Sequence, residues 1–205
     1  LGNNIFIDTL VYDGLTDAFS QEHMGITAEN VARKHNVTRQ DQDQYAYGSY
    51  LKTYKALKNK FFKNELCQTS LKDEVRADTT LAKLSQLKPV FKKKGSVSAG
   101  NASSLNDGAA FLALASSDYI KTKRIKPLAR IISWSSSAGN PDYMGITPIT
   151  AIQKLMKNMS VNISYFDLIE INEAFAATSV AVQRSLKIDP NKLNIAGGAI
   201  ALGHP

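Results

Sequence analysis

The spacing of hydrophobic and polar residues predicts two helices in the first third of the chain. A short helix is expected over residues 27–35. The second is marked by Thr38, a favourable N-cap, with Asp41 following it at the spacing of a capping box. From there to about residue 58, apolar and aromatic residues recur at helical intervals, namely Tyr47, Tyr50, Leu51, Tyr54 and Leu57.

The second half of the chain alternates short apolar runs with helical patterns. Helices are predicted over 148–159, where Pro148 suits a first helical turn, and over 173–186. Residues 1–22 and 61–98 show no clear period and are predicted to be loop and irregular surface. Strands and helices in alternation indicate an α/β fold with packed layers. The predicted strands are 108–115, 128–134, 166–171 and 193–196.

Composition fits a globular protein of one or two domains, with 205 residues, 43% of them hydrophobic and 21% charged. The chain lacks an apolar run of about 18 residues, so we expect no membrane span. A single cysteine, Cys67, rules out an intrachain disulfide and favours a reducing compartment, so a cytoplasmic location is expected.

The net charge of +7 suits an anionic ligand, although most lysines are expected on a solvated surface. A basic stripe interleaved with aromatic residues is absent, so nucleic-acid binding is not expected. The three histidines lack the spacing of metal ligands, so no metal site is expected.

Two polar side chains in tight backbone settings carry the candidate chemistry. His204 lies between Gly203 and Pro205, and its imidazole can move a proton near neutral pH. Asn172 ends an apolar run, and its amide can stabilise an oxyanion. Together they suggest an acyl-transfer site without its nucleophile, since Cys67 shows no sign of activation. The plainer alternatives are an exposed histidine and an asparagine that caps the following helix.

Six segments, which occur in order along nearly the whole chain, resemble the thiolase family and, within it, the acetyl-CoA acetyltransferases. Any one of them alone would be a weak signal, but their order makes the resemblance specific. The segments are Asp13-Gly14-Leu15-Thr16-Asp17-Ala18-Phe19, His23-Met24-Gly25, Gly100-Asn101-Ala102-Ser103, Met144-Gly145, Asn172-Glu173-Ala174-Phe175-Ala176, and Gly197-Gly198-Ala199 continuing to Gly203-His204-Pro205.

The resemblance implies a layered αβαβα thiolase fold of two similar halves with an inserted loop domain that covers coenzyme A, only partly present here. By that reading, residues 1–106 form the loop domain, 107–127 return to the N-terminal half, and 128–205 form the front part of the C-terminal half. The chain starts without an initiator Met and stops within a motif, so we expect an interior piece of a longer protein.

Two departures from the family pattern accompany this expectation. The family's two catalytic cysteines would lie before Leu1 and after Pro205. The stretch 66–76 is also roughly ten residues shorter than in relatives, as surface loops tolerate.

The resemblance also assigns roles to individual residues. His204 would act as general base and oxyanion partner, and Asn172 as oxyanion donor through a water. Ser103 would hydrogen-bond pantetheine, and Arg76 would lie near the adenine. For Glu173 no family role is carried over, and we expect it to pack and orient its neighbours rather than to transfer protons. The predicted substrate and coenzyme A contacts are His23, Met24, Leu15, Arg76, Phe91, Ala102, Ser103, Leu105, Met144, Ala174 and Phe175. Several of these could equally be plain core, a turn, or a buried His–Met pair.

The implied activity is an acetyl-CoA C-acetyltransferase, which condenses two acetyl-CoA molecules to acetoacetyl-CoA or runs the reverse thiolysis. Its expected partners are acetyl-CoA, acetoacetyl-CoA and coenzyme A, with no metal or redox cofactor, in a homodimer or homotetramer. A broad-chain 3-ketoacyl-CoA thiolase is the first alternative. A non-catalytic, thiolase-like protein that binds coenzyme A is the second, because the nucleophile is absent from this chain.

Overall fold

The structure, a computed structural model, describes residues 2, 4–67 and 75–205. A π-helix at Leu10–Leu15 and 3-10 helices at Pro141–Ile146 and Ile163–Tyr165 interrupt the irregular segments. The α-helices are α1 (Met24–Lys34), α2 (Arg39–Lys58), α3 (Leu81–Ser85), α4 (Ser117–Lys123), α5 (Thr147–Met159), α6 (Ala176–Leu186) and α7 (Ala199–Leu202).

The long helix α2 begins at the predicted capping box. The hydroxyl of Thr38 accepts a hydrogen bond from the backbone N–H of Asp41 at 3.1 Å, and the Asp41 carboxylate accepts one from the N–H of Thr38 at 2.8 Å. Two of the free donors at the helix start are thereby satisfied locally. The prediction of this helix is confirmed, although Leu51 and Tyr54, expected on its apolar face, are exposed.

Three other predicted helices are present with shifted or matching ends. Helix α1 begins before residue 27 because the side chain of His23 caps it. Helix α5 matches its prediction, with Pro148 in the first turn. Helix α6 begins at Ala176, after the predicted residue 173, because Phe175 has extended backbone at the N-cap position.

The core lies around α6, which packs against α1, α2 and α5. One side of α6 meets α1 through Ala177, Val180 and Ala181, and its far end meets α5 through Val182 and Leu186. Helix α2 also packs against the short α7, where Ile200 and Ala201 are buried. These contacts join residues of the predicted segments 1–106 and 128–205, while the division of the chain into three segments stays a prediction.

Within the described ranges, none of the predicted strands pairs with a neighbour to form a β-ladder. This part of the prediction is wrong for this structure. Residues 108–115, expected to be buried, are exposed, with Phe111 at 93%. Residues 128–134 are likewise without strand pairing and mostly exposed. Segments 166–171 and 193–196 meet through one parallel bridge between Ile169 and Leu193 and through hydrogen bonds of Asn194 to the backbone of the first segment, which do not extend into a ladder. Strand structure requires hydrogen-bonding neighbours, and the described segments supply almost none to these runs.

The regions predicted to be irregular are mostly so. Residues 1–22 contain the π-helix turn and an isolated bridge between Thr16 and His23, which the pattern did not predict. Within 61–98 the described parts are turns and the short helix α3. Most of the shortened stretch 66–76 lies outside the described residues. Among the residues described, none of the helices has the length and apolar character needed to cross a bilayer.

Candidate active site

A cavity of about 830 Å³ opens between the start of α1, the turn around residue 91, the segment 98–107 and the end of the chain. Its lining includes all of the predicted site residues except Asn172. Those residues are His204, His23, Met24, Leu15, Arg76, Phe91, Ala102, Ser103, Leu105, Met144, Ala174 and Phe175. Segments far apart in sequence therefore meet at one concave surface, while the individual roles of the residues stay predictions.

His23 is held at the N-terminus of α1 by two contacts. Its Nδ1 accepts a hydrogen bond from the backbone N–H of Gly25 at 3.0 Å, which requires a neutral ring with the proton on Nε2. Its ring stacks on Phe91 with centroids 4.7 Å apart. Burial lowers the pKa of His23 below its ordinary value of 6.5. The ring thus enters the cavity wall as a neutral group.

The His23 cap predicts a pH dependence of stability. The pKa of His23 is lower in the folded than in the unfolded state, so the unfolded state binds more protons at acid pH. This contribution to stability is complete above pH 6.5 and is lost as the pH falls through the lowered pKa. His23→Asn keeps a capping acceptor without titrating, so its stability should fall less between pH 7.5 and pH 5 than that of the wild type.

Urea unfolding of both proteins at the two pH values measures this difference. His35, whose pKa is lowered by burial and then by Lys34, is present in both proteins and cancels in the comparison. His23→Ala removes the cap and should cost about 1 kcal/mol at pH 7.5. Equal acid sensitivity of wild type and His23→Asn would show that His23 makes no such contribution.

Phe91 packs closely against Gly25 and Phe175 in the aromatic part of the cavity wall. A Cβ on Gly25 would lie 2.3 Å from the Phe91 ring, so glycine lets that ring approach the start of α1. Phe91 also meets Phe175 edge to face, with centroids 6.0 Å apart. His23, Phe91 and Phe175 therefore form a continuous aromatic surface.

The segment 101–103 is tied to the start of α6. The N–H and the hydroxyl of Ser103 both donate to the carbonyl of Ala174 at 3.0 Å, and Ala176 N–H donates to Asn101 at 2.8 Å. Asn101 is fully buried, and its amide donates to Asp43 of α2 at 2.8 Å. The turn expected as the plainer alternative covers residues 99–101, whereas Ala102 pairs with Phe175 in an antiparallel bridge, and Ala102 and Ser103 are part of the cavity wall.

His204 is positioned by its backbone. Its N–H donates to the carbonyl of Ser104 at 2.9 Å, beside a parallel bridge to Leu105. Gly203 has φ +101°, and a Cβ there would lie 2.1 Å from the side chain of Asn106, so a larger residue would be strained and would clash. The imidazole is exposed, as the plainer alternative expected, and it also lines the cavity.

Asn172 is exposed and is not among the residues that line the cavity. The alternative that it caps the following helix is wrong, because the N-cap of α6 is Phe175. The cavity wall in this segment begins at Ala174, since Glu173 turns into the protein toward α2. Its assignment as an oxyanion donor stays a prediction.

Several cavity residues were not anticipated from the sequence. Thr178 lies about one turn after Phe175, and Thr27 lies on α1 one turn after His23, so helical spacing from a predicted site residue could have found both. Val90, Ser98 and Asn106 lie in loops, where spacing carries no such information.

Known proteins resemble this chain in sequence. Residues 1–118 match the family described as "Thiolase, N-terminal domain", and residues 125–205 match "Thiolase, C-terminal domain". The chain belongs to the thiolase family. A "Probable acetyl-CoA acyltransferase" of Staphylococcus aureus (strain COL) is 46% identical over 217 residues, covering 100% of this chain and 55% of that protein.

Solved structures agree with the sequence matches. The Bacillus anthracis acetyl-CoA acetyltransferase has a TM-score of 0.93 at 41% identity, over 100% of this chain and 55% of that one. The human mitochondrial 3-ketoacyl-CoA thiolase in complex with CoA has a TM-score of 0.91 at 42% identity, over 100% and 54%. The expected thiolase fold is therefore confirmed. The chain spans about half the length of the relatives that it matches.

Proposed function

We propose that the full-length protein is an acetyl-CoA C-acetyltransferase, which condenses two acetyl-CoA molecules or runs the reverse thiolysis. The observation that carries this proposal is a cavity in which the imidazole of His204 joins an apolar, aromatic wall at Phe91 and Phe175. The acyl and pantetheine parts of a thioester are largely apolar, while its carbonyl oxygen gains charge in the transition state. The names of the similar Staphylococcus aureus and Bacillus anthracis proteins support the same chemistry.

In the proposed reaction the nucleophile is a cysteine outside residues 1–205. His204 takes the thiol proton, the thiolate attacks the thioester carbonyl, and the bond between the acetyl carbon and the CoA sulfur breaks. The protonated imidazole returns the proton to the departing CoA, so the acetyl group remains on the cysteine. Asn172 and His204 are the proposed donors to the oxygen that becomes negative, the former through a water.

The second half-reaction forms the carbon–carbon bond. A second cysteine, also proposed to lie outside this chain, removes a proton from the α-carbon of another acetyl-CoA. The resulting carbanion attacks the acetyl-enzyme, which releases acetoacetyl-CoA and the first cysteine as its thiolate. That thiolate regains the proton from the second cysteine, and the site is restored.

The proposed binding role of Ser103 follows from its hydrogen bonds. Its hydroxyl proton is used by the carbonyl of Ala174, at 3.0 Å. The oxygen therefore has lone pairs available, and it can accept a hydrogen bond from an amide N–H of the pantetheine arm. Leu15, Leu105 and Met144 supply apolar walls along the same cavity.

Cations near the cavity suit the phosphate groups of coenzyme A. Arg76 lines the cavity, and exposed Lys92, Lys93 and Lys94 directly follow the wall residue Phe91. A guanidinium can pair with phosphate or stack on an adenine, and exposed lysines raise the local concentration of an anionic ligand. We propose that these residues face the nucleotide end of the substrate.

A broad-chain 3-ketoacyl-CoA thiolase is a second candidate, because the human mitochondrial enzyme of that name has a nearly equal TM-score. Thiolysis of ketoacyl-CoA substrates of increasing chain length by the full-length protein separates the two. The short-chain proposal expects kcat/KM to fall by about 100-fold or more between four and sixteen acyl carbons, since an acyl pocket walled by Phe91 and Met144 would have no room for a long chain. A flat profile would favour the broad-chain enzyme.

The same assay addresses the third candidate, a protein that binds coenzyme A without catalysis. Such a protein would show saturable binding of CoA by calorimetry with no thiolysis of any ketoacyl-CoA. Turnover of acetoacetyl-CoA by the full-length wild type excludes it.

A further inference from the structure

Glu173 carries a buried carboxylate that the proposed chemistry does not use. Its side chain is 1% exposed, and both of its oxygens accept hydrogen bonds. Oε1 accepts from the Tyr45 hydroxyl at 3.2 Å and from the Asn194 amide at 2.8 Å. Oε2 accepts from the Ser49 hydroxyl at 2.6 Å and from the backbone N–H of Ile200 at 3.3 Å. An acceptor-only group satisfied by several donors is the form in which a buried carboxylate is tolerated.

The donors come from three separate parts of the fold. Tyr45 and Ser49 lie on α2, Asn194 lies in the loop before the glycine segment (residues 197–203), and Ile200 lies on α7. Burial and the neighbouring Glu173 carboxylate raise the pKa of Tyr45 far above its usual range, so its hydroxyl remains a donor. Asn194 also brackets the backbone of Ile171, with bonds of 2.8 Å to its N–H and its carbonyl. The carboxylate of Glu173 therefore connects its own segment to α2 and α7. Through Asn194 it is also connected to Ile171, on the other side of Asn172.

The glycine segment packs directly on this carboxylate. A Cβ on Gly198 would lie 2.6 Å from Cδ of Glu173, so only glycine permits the approach. The N–H of Gly198 donates to Ser49 at 3.2 Å, so Ser49 links Gly198 and Glu173. The start of α7 is thereby placed by the carboxylate and its nearest partner.

From α7 the connection to His204 is short. Gly203 N–H donates to the carbonyl of Ala199 at 2.8 Å. His204 is the next residue, and its N–H donates to the carbonyl of Ser104. On the other side, Ala174 follows Glu173 directly and contributes its carbonyl to Ser103. The carboxylate is therefore linked by short connections both to the segment that carries His204 and to the cavity wall at Ala174.

We propose that Glu173 is a positioning residue, whose carboxylate holds the segment that carries His204 in register with the cavity wall at Ala174 and Phe175. This inference rests on the proposed thiolase function for its kinetic consequence. The geometry that positions an imidazole against a thioester affects the transition state more than substrate binding. Loss of the carboxylate should therefore lower kcat with little change in KM.

Glu173→Gln tests this with almost no change in volume. One carboxylate oxygen is replaced by an NH₂ group, which cannot accept the hydrogen bonds that arrive there. We expect kcat for acetoacetyl-CoA thiolysis by the full-length protein to fall by about 10- to 100-fold, with KM changed less than about 3-fold.

Glu29→Gln is the matched control. Glu29 is a second buried carboxylate, 8% exposed, which accepts hydrogen bonds from Ser96 and Val97 at 2.8 to 3.0 Å. It holds the backbone at Ser96 and Val97, it does not line the cavity, and its hydrogen bonds do not reach Glu173 or α7. The substitution is chemically identical, so a comparable stability loss is expected with kcat kept within about 2-fold.

The ring signals of His204 in nuclear magnetic resonance spectra provide a readout that does not require activity. Glu173→Gln should shift or broaden the His204 signal and leave that of His35 unchanged, and Glu29→Gln should leave the His204 signal unchanged. If the wild type shows no thiolysis and Glu173→Gln still shifts the His204 signal, the proposed thiolase activity is refuted and the positioning role is supported. An unchanged signal, or equal effects of both variants on kcat, would overturn the inference.

Ser49→Ala is the second variant, for the case in which Glu173→Gln does not fold. It removes the bond to Glu173 and the bond from Gly198, so kcat should fall several-fold and the His204 signal should shift. Tyr45→Phe removes the 3.2 Å bond to Glu173 and a 3.5 Å bond from Asn194, both longer than the bond from Ser49, and should have a smaller effect. An unperturbed His204 signal and kcat in folded Ser49→Ala would overturn the inference.

Discussion

Replacement of His204 by alanine is expected to lower the turnover of acetoacetyl-CoA thiolysis by about 1000-fold in the full-length protein. The imidazole is the proposed general base in a cavity whose other wall is apolar and aromatic, and alanine can neither take a proton nor donate to an oxyanion. Steady-state kinetics with excess CoA measure the change. Since His204 is exposed and is held through its backbone, the substitution should leave the fold intact.

Two further variants sharpen this prediction. His204→Asn retains a hydrogen-bond donor without a base, so any activity above that of His204→Ala reports the oxyanion contribution. His35→Ala removes an imidazole that does not line the cavity and should keep turnover within about 2-fold. If His204→Ala retained more than about a tenth of wild-type turnover, the assigned role would be wrong.

Gly197→Ala is expected to destabilise the folded protein by about 3 to 5 kcal/mol. Gly197 has φ +81°, where a side chain is strained, and a Cβ would lie 1.8 Å from the Thr53 hydroxyl. It would also lie 2.7 Å from the carbonyl of Ser49 and from the N–H of Thr53, both in the backbone of α2. Relief of this overlap requires the main chain of α2 or of the glycine segment to move.

Gly48→Ala is the matched control, because it makes the same change within α2 with nothing within 4 Å of the new Cβ. Alanine favours helix over glycine, so this variant should gain about 0.5 to 1 kcal/mol. The midpoint of urea unfolding in the full-length protein measures both variants against the wild type. Equal midpoints for the two variants would contradict the packing described for Gly197.

The helices illustrate which structural features the sequence alone could predict. The capping box at Thr38 is a local interaction within one turn, so the pattern identifies the start of α2 correctly. The start of α1 was predicted too late, because the cap is the imidazole of His23, which is not among the residues usual at that position. That imidazole also stacks on the ring of Phe91, far along the chain.

The predicted strands failed for a different reason. An apolar run records that a segment can be buried, but the hydrogen bonds of a ladder come from another segment. In the described part of the chain, the run around Phe111 is exposed and the one around Ile169 has a single bridge. The thiolase fold was nevertheless recognisable, because ordered motifs such as Asn172-Glu173-Ala174-Phe175 identify a family without any statement about pairing.

The sequence by itself determined the family, the capped helix α2 and part of the set of residues now found around one cavity. These features depend on local spacing and on motif order, which a single chain displays directly. Tertiary structure alone decided that Asn172 lies outside the lining, and that Glu173 joins α2, the Asn194 loop and α7. Those outcomes depend on contacts between residues that are distant in sequence. Ser49 and Glu173, for example, are more than a hundred residues apart. Linear spacing carries no information about such contacts.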